Sequence, residues 1–133
     1  MTYSKRLEDI QILAVDDEKL MLRLVFDVLA QQGFRHVTLA TTGHQAIELV
    51  AERPFDLIIT DLKMEGMDGL GVVRFVRQSL TSSCPRVPII MLTATTEIKA
   101  VLEARDTGIN EYLLKPFTAE QLMMRIRNIF EKP

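Results

Sequence analysis

The chain has 133 residues, of which 47% are hydrophobic and 26% charged, and its formal net charge is −2. That length suits one domain around one core, and the balance of apolar and charged residues is ordinary for a globular protein. The slight negative charge gives no bulk electrostatic support for binding nucleic acid or a membrane, and no apolar stretch approaches transmembrane length.

The apolar run Ile10-Gln11-Ile12-Leu13-Ala14-Val15 stops at Asp16-Asp17 and reads as a first strand. From Lys19 to Gln32, Leu20, Leu24 and Val28, with Met21, Val25 and Leu29, recur at helical spacing, and Gly33 is a natural stop. Val37 to Ala40 is a brief second strand. Thr42-Gly43-His44-Gln45 has the form of a capping box and opens a helix that must end before Pro54. The run from Leu57 to Thr60, preceded by Arg53-Pro54, has the pattern of a strand buried on both faces, and Asp61 stands where it ends.

Lys63 to Asp68 form a loop punctuated by Gly66 and Gly69. Leu70, Val72, Val73 and Val76 mark a third helix ending near Ser79. After a polar loop, Pro88-Ile89-Ile90-Met91-Leu92 is a fourth strand that terminates at Thr93. A short helix over about 97–105 ends at Gly108, and Glu111-Tyr112-Leu113-Leu114 leads to Lys115-Pro116 as the fifth strand. A second capping box, Thr118-Ala119-Glu120-Gln121, opens a last helix carried by Leu122, Met123, Ile126, Ile129 and Phe130.

Strand and helix alternate five times, which predicts an α/β fold with a parallel sheet covered on both faces. In such a sheet all carboxyl ends share one edge, so Asp16-Asp17, Asp61, Thr93 and Lys115 become neighbours. Three crowded acids must protonate, spread apart or hold a cation, because each pair about 4 Å apart costs roughly 4 kcal/mol at a partly screened dielectric. A few carboxylates with room for waters favour Mg2+, with Mn2+ also possible. A metal, a fixed cation and a hydroxyl donor around one carboxylate are the parts that phosphoryl transfer needs, and Asp61 is the candidate nucleophile.

Val15-Asp16-Asp17-Glu18, Thr60-Asp61-Leu62 with Met67-Asp68-Gly69, Leu92-Thr93-Ala94 and Lys115-Pro116-Phe117, in this order, resemble the motifs of response-regulator receiver domains of two-component signalling. The resemblance covers about residues 10–130 and implies a single receiver domain over 1–133. It implies a flavodoxin-like doubly wound fold with sheet order 2-1-3-4-5. It also implies that Asp61 accepts phosphoryl from a sensor histidine kinase or histidine phosphotransfer protein. Asp16, Asp17, Asp61 and the Lys63 backbone carbonyl would serve the metal. Thr93, Ala94 and Lys115 would bind the phosphoryl oxygens, with Thr93 and Tyr112 as the switch. The output face would be the fourth helix, fifth strand and fifth helix, including Lys99, Arg105 and Glu111, turned toward a downstream protein target.

Two positions stand apart from the family pattern. Glu65 occupies a place where proline is usual, which predicts a looser loop after Asp61. Lys63 and Thr95 occupy the variable positions flanking the phosphoryl group, where they tune its lifetime. A degenerate receiver used only for binding is a rival reading, against which the intact acid–Thr–Lys set argues. A phosphatase is another, but it needs a second acid two residues after the nucleophile, where this chain has Lys63. The reading is therefore a self-modifying switch without a separate substrate, ended by hydrolysis, not an enzyme. Cys84, a lone cysteine, fits a reducing cytoplasm, as does a polar N-terminus without a following apolar segment. Neither nucleic acid nor membrane is an expected partner. His36 and His44 are expected on the surface, and Met21, Met91, Met123 and Met124 in the core or an interface. Arg74, Arg77, Arg125 and Arg127 are expected on solvated helix faces.

Overall fold

Apolar runs of five or six residues between helical repeats can bury both faces only inside a layered sheet, and the chain folds that way. A computed structural model describes residues 5–104, 106 and 108–131. In chain order the elements are β1 (Gln11–Val15), α1 (Lys19–Gln31), β2 (His36–Ala40), α2 (Gly43–Glu52), β3 (Leu57–Asp61), α3 (Gly69–Gln78), β4 (Ile89–Ala94), α4 (Ile98–Ala104), β5 (Glu111–Lys115) and α5 (Ala119–Phe130). The strands are parallel in the order β2-β1-β3-β4-β5, a flavodoxin-like doubly wound sheet as expected.

Strand periodicity sorts the core into two layers. Ile12, Ala14, Leu57, Ile59, Ile90, Leu92 and Leu113 face α1 and α5, where they meet Val25, Leu29, Leu122 and Ile126. Leu13, Val15, Ile58, Ile89 and Met91 face α2, α3 and Val101 of α4. Every residue of β3 is buried, so this strand is the centre of both layers. Fully burying each large aliphatic side chain stabilises the fold by about 1.5–3 kcal/mol.

The helix starts follow their polar caps. Thr118 accepts from the Gln121 amide at 3.1 Å, and the Gln121 side chain accepts from the Thr118 amide at 2.9 Å, closing the second capping box. At the first, the Thr42 hydroxyl accepts from the Gln45 amide, but the Gln45 side chain takes the Thr41 amide instead, at 2.8 Å. Asp68 caps α3 by accepting from the Gly71 amide at 2.9 Å. The loop before α3 is closed at its neck, where the Gly69 amide donates to the Leu62 carbonyl at 2.8 Å. A Cβ on Gly69 would strike the Asp61 carbonyl and come 2.9 Å from the Met91 sulfur, so only glycine fits there.

The structure differs from the sequence expectation at several places. The core stripe of α1 is Leu22, Val25, Val28 and Leu29, whereas Leu20 is 88% exposed and Leu24 45%. α1 is apolar around much of its circumference, so spacing alone could not choose the inward face. The fourth helix begins at Ile98, one residue after the expected start, because Thr95–Glu97 form a 3-10 turn before it. Arg105, expected on the output face, lies outside the described residues. Met124 is exposed. Arg125 is only partly exposed, with Nη1 3.8 Å from the Glu111 carboxylate, so it is not on a freely solvated face.

Arg77 is the largest departure, because it is a half-buried brace and not a solvated side chain. Its guanidinium donates to the Gly108 carbonyl (2.7 and 3.2 Å), the Pro85 carbonyl (3.0 Å) and the Asn110 side-chain oxygen (3.1 Å). Asn110 in turn accepts from the Ile89 amide at 2.8 Å. One side chain of α3 thus fixes the turns that lead into β4 and β5. Gly108 has φ +115°, and a Cβ there would sit 2.6 Å from Arg77 Nε. Removing the donors leaves the part-buried Gly108 carbonyl without its partner, so Arg77→Met should lower unfolding free energy by about 1–3 kcal/mol in urea titration. Gly108→Ala should be destabilising too, through both the backbone conformation and the displaced guanidinium.

Candidate functional site

Three strands deliver their last side chains to one place by parity. Ala14, Ile59 and Leu113 belong to the same core layer, so the residues two further on, Asp16, Asp61 and Lys115, leave the sheet on that same side. Ala14 pairs with Ile59 across the β1–β3 ladder, which sets Asp16 beside Asp61. β4 intervenes between β3 and β5, and Lys115 reaches back over it, spanning roughly 9–10 Å of sheet. Its ammonium lies 2.7 Å from Asp61 Oδ1 and 3.4 Å from Asp16 Oδ2. The Lys115–Pro116 peptide bond that follows is cis.

Asp16 and Asp61 are almost wholly buried, at 1% and 5% exposure. Burial raises the pKa of both above the ordinary carboxylate value. For Asp16 the Glu18 amide, donating at 2.9 Å, and Lys115 work against that rise; for Asp61 Lys115 does. Burial pulls Lys115 down, yet its two carboxylate partners together outweigh it and leave its pKa raised. Asp17 is exposed, and its Oδ2 accepts from the Glu65 amide at 3.0 Å. Glu65, standing where proline is usual, has an N–H, and that N–H ties the loop after Asp61 to Asp17.

Carboxylate oxygens of Asp16, Asp17 and Asp61 all lie within 4.8 Å of one another. This all-oxygen donor set, with two members buried and incompletely balanced by one lysine, fits a small hard divalent cation. Above Asp61 opens a cavity of about 280 Å³, whose walls include Glu18, Lys63, Thr93, Ala94, Glu97 and Lys115. Thr93 is buried, and its hydroxyl donates to the Ala94 carbonyl at 3.2 Å. Thr60 Oγ1 donates to the Asp61 carbonyl at 3.1 Å from within the buried strand.

The structure brings together Asp16, Asp17, Asp61, Lys63, Thr93, Ala94 and Lys115. It sets Thr95 and Tyr112 apart, in a separate groove of about 570 Å³ with Leu114, Met124 and Arg125. Tyr112 is 37% exposed there. Sequence reasoning missed Glu97, whose Oε1 lies 3.4 Å from Lys63 Nζ across the cavity mouth. Nothing in its local pattern marks it, since it is one exposed-type acid at the start of a helix.

The family model of the response regulator receiver domain matches residues 12–127. The chain is 33% identical over 125 residues to chemotaxis protein CheY-3 of Vibrio cholerae, covering 94% of this chain and 95% of that one. It is 35% identical over 122 residues to chemotaxis protein CheY of Pseudomonas aeruginosa, covering 92% and 97%. A similar solved structure is the receiver domain of a sensor histidine kinase from Pseudomonas aeruginosa, with a magnesium ion coordinated in its active-site cleft. The TM-score is 0.80 at 30% identity, over 92% of this chain and 98% of that one.

The raised acids make a prediction about the metal-free protein. An acid whose pKa is raised by folding holds its proton more tightly folded than unfolded, so stability falls as pH climbs from the ordinary carboxylate range through the raised value. In EDTA, thermal unfolding should show this decline, and Asp61→Asn should flatten it and gain roughly 1–2 kcal/mol at neutral pH. Added Mg2+ should raise the wild-type Tm and raise that of Asp61→Asn less.

Proposed function

We propose that this chain, which belongs to the response regulator receiver domain family of two-component systems, accepts a phosphoryl group on Asp61. Receiver domains are phosphoacceptor switches, and the family binds Mg2+ in its acidic site. The observation that supports Asp61 as the acceptor is its place under an open cavity, between Lys115 at 2.7 Å and two further carboxylates.

The donor is a phosphohistidine of a sensor kinase or phosphotransfer protein. A carboxylate oxygen of Asp61 attacks phosphorus in line, an acyl phosphate forms, and the phosphorus–nitrogen bond breaks with its electrons returning to the imidazole. Asp17, Asp61 and the Lys63 carbonyl would hold Mg2+ directly and Asp16 would hold it through water, and the ion would supply charge neutralisation at the acidic site. Lys115 loses no contact in this step, because its ammonium can exchange the carboxylate for a phosphoryl oxygen. The Thr93 hydroxyl and Ala94 amide stand at the cavity wall to bind the others. Hydrolysis reverses the state, as water adds to phosphorus and the bond to Asp61 breaks, giving carboxylate and inorganic phosphate.

The new group carries about −1.5 to −2 charges, enough to bias a two-state element. That element is Thr93 with Tyr112. A move of Thr93 toward the phosphoryl group vacates space beside β4, and the ring of Tyr112 swings from its groove toward it. The groove between β5 and α5, with Glu111 paired to Arg125 beside it, is the surface a downstream protein reads. Lys63 sets the lifetime, by covering the phosphoryl group against water. The setting of these reactions is the cytoplasm.

Acetyl phosphate with Mg2+ tests the acceptor directly. Intact-mass analysis should show a single phosphoryl adduct that is absent in Asp61→Asn and without Mg2+, and an adduct that persists in Asp61→Asn would sink the assignment. Lys63→Ala should shorten the adduct's lifetime severalfold, whereas an unchanged or longer lifetime removes the covering role. Beryllofluoride with Mg2+ should shift NMR signals around Tyr112, and silence there would refute the switch.

A further inference from the structure

Lys63 and Glu97 come from different loops. Lys63 follows β3 by two residues, and Glu97 ends the Thr95–Glu97 turn that runs straight into α4. Their side chains meet at 3.4 Å, and both line the cavity over Asp61. Lys63 is 81% exposed and Glu97 32%, so the pair is solvent-screened and held weakly. Glu18 and Asp61 line the same cavity, yet Glu97 is the acid that pairs with the Lys63 ammonium.

We propose that Glu97 is a positioning residue for Lys63, parking its ammonium at the cavity mouth until an acyl phosphate on Asp61 takes it over. The inference rests on Asp61 being the phosphoryl acceptor. A phosphoryl group adds more charge at the cavity centre than one carboxylate holds at its rim, and the long lysine stem lets the ammonium reach either. After the exchange the ammonium sits on a phosphoryl oxygen at the mouth, the side from which in-line displacement brings water. Glu97, released, leaves the turn into α4 without its tie to the β3–α3 loop. The pair therefore sets two things together: how long the phosphoryl group survives, and how freely the start of α4 moves while it is there.

The test is a cycle of Glu97→Gln, Lys63→Ala and the double variant. Each is labelled with acetyl phosphate and Mg2+, freed of donor and followed for loss of the adduct. Glu97→Gln should lengthen the lifetime by about two- to fivefold, the range an exposed ion pair can bias. Glu97→Asp, which keeps the charge, should return it toward wild type. The double variant should decay like Lys63→Ala, because Glu97 acts only through the lysine. Glu97→Gln having no effect, or having the same effect with Lys63 absent, overturns the proposal. So does a Lys63 Nζ NMR signal that does not move on adding beryllofluoride and Mg2+. If wild type takes no label that depends on Asp61, the acceptor reading fails and this inference falls with it; a normal label with no Glu97 effect removes the inference alone.

Discussion

Two nearly buried acids share one lysine at the carboxyl edge of the sheet, and the rest of the structure is arranged to keep them there. Asp16 and Asp61 are each costly to ionise in that position, and Lys115 answers only part of the cost. With Asp17 beside them the local balance stays negative. A site compensated fully by its own side chains would have no use for a cation. This one is left short of positive charge, and that shortage suits it to a small divalent cation. The two hydrophobic layers behind β3 keep the acids from relaxing apart, since moving Asp61 means moving a strand buried along its whole length.

How far this was legible from sequence depends on whether a residue's role is local or relational. β3 announced itself by an apolar run ending in an acid. The parity of Ala14, Ile59 and Leu113 carried Asp16, Asp61 and Lys115 to one side of one edge, so the acid–lysine cluster follows from strand pattern plus the order of the strands. The α1 face did not follow, because Leu20 and Leu24 are as apolar as the residues that are buried. Arg77 was hidden for another reason. Its partners are main-chain carbonyls at Pro85 and Gly108, and a carbonyl leaves no mark in a sequence. The Glu65 tie to Asp17 is also a main-chain bond, and the Lys63–Glu97 pair joins two loops whose separation only the fold decides.

These braces are distributed unevenly. At the amino edge, Lys5 and the Gln11 amide hold Asp56, and Arg53 stacks over Phe55 while bonding Thr38. The Arg77 network ties the turns before β4 and β5 on that same edge. At the carboxyl edge Lys115 is held by the nearly buried Asp16 and Asp61, while Lys63–Glu97 is a solvent-exposed pair that joins the loop after β3 to the 3-10 turn before α4. Local opening is easiest where bonds are solvent-exposed, so of these two ties the Lys63–Glu97 pair is the weaker.

The closed neck between Leu62 and Gly69 bears on how such a chain can change over time. The six residues between are a loop whose ends are bonded to each other, with Met64 buried and Met67 packed against Gly43 and Gly71 as inner anchors. Lys63 and Glu65 alternate with those anchors and point outward. Substitutions at the outward positions therefore leave strand and helix undisturbed, while Lys63 stands on the rim of the cavity over Asp61. A change in that rim and a change in the scaffold fall on different residues of one short loop.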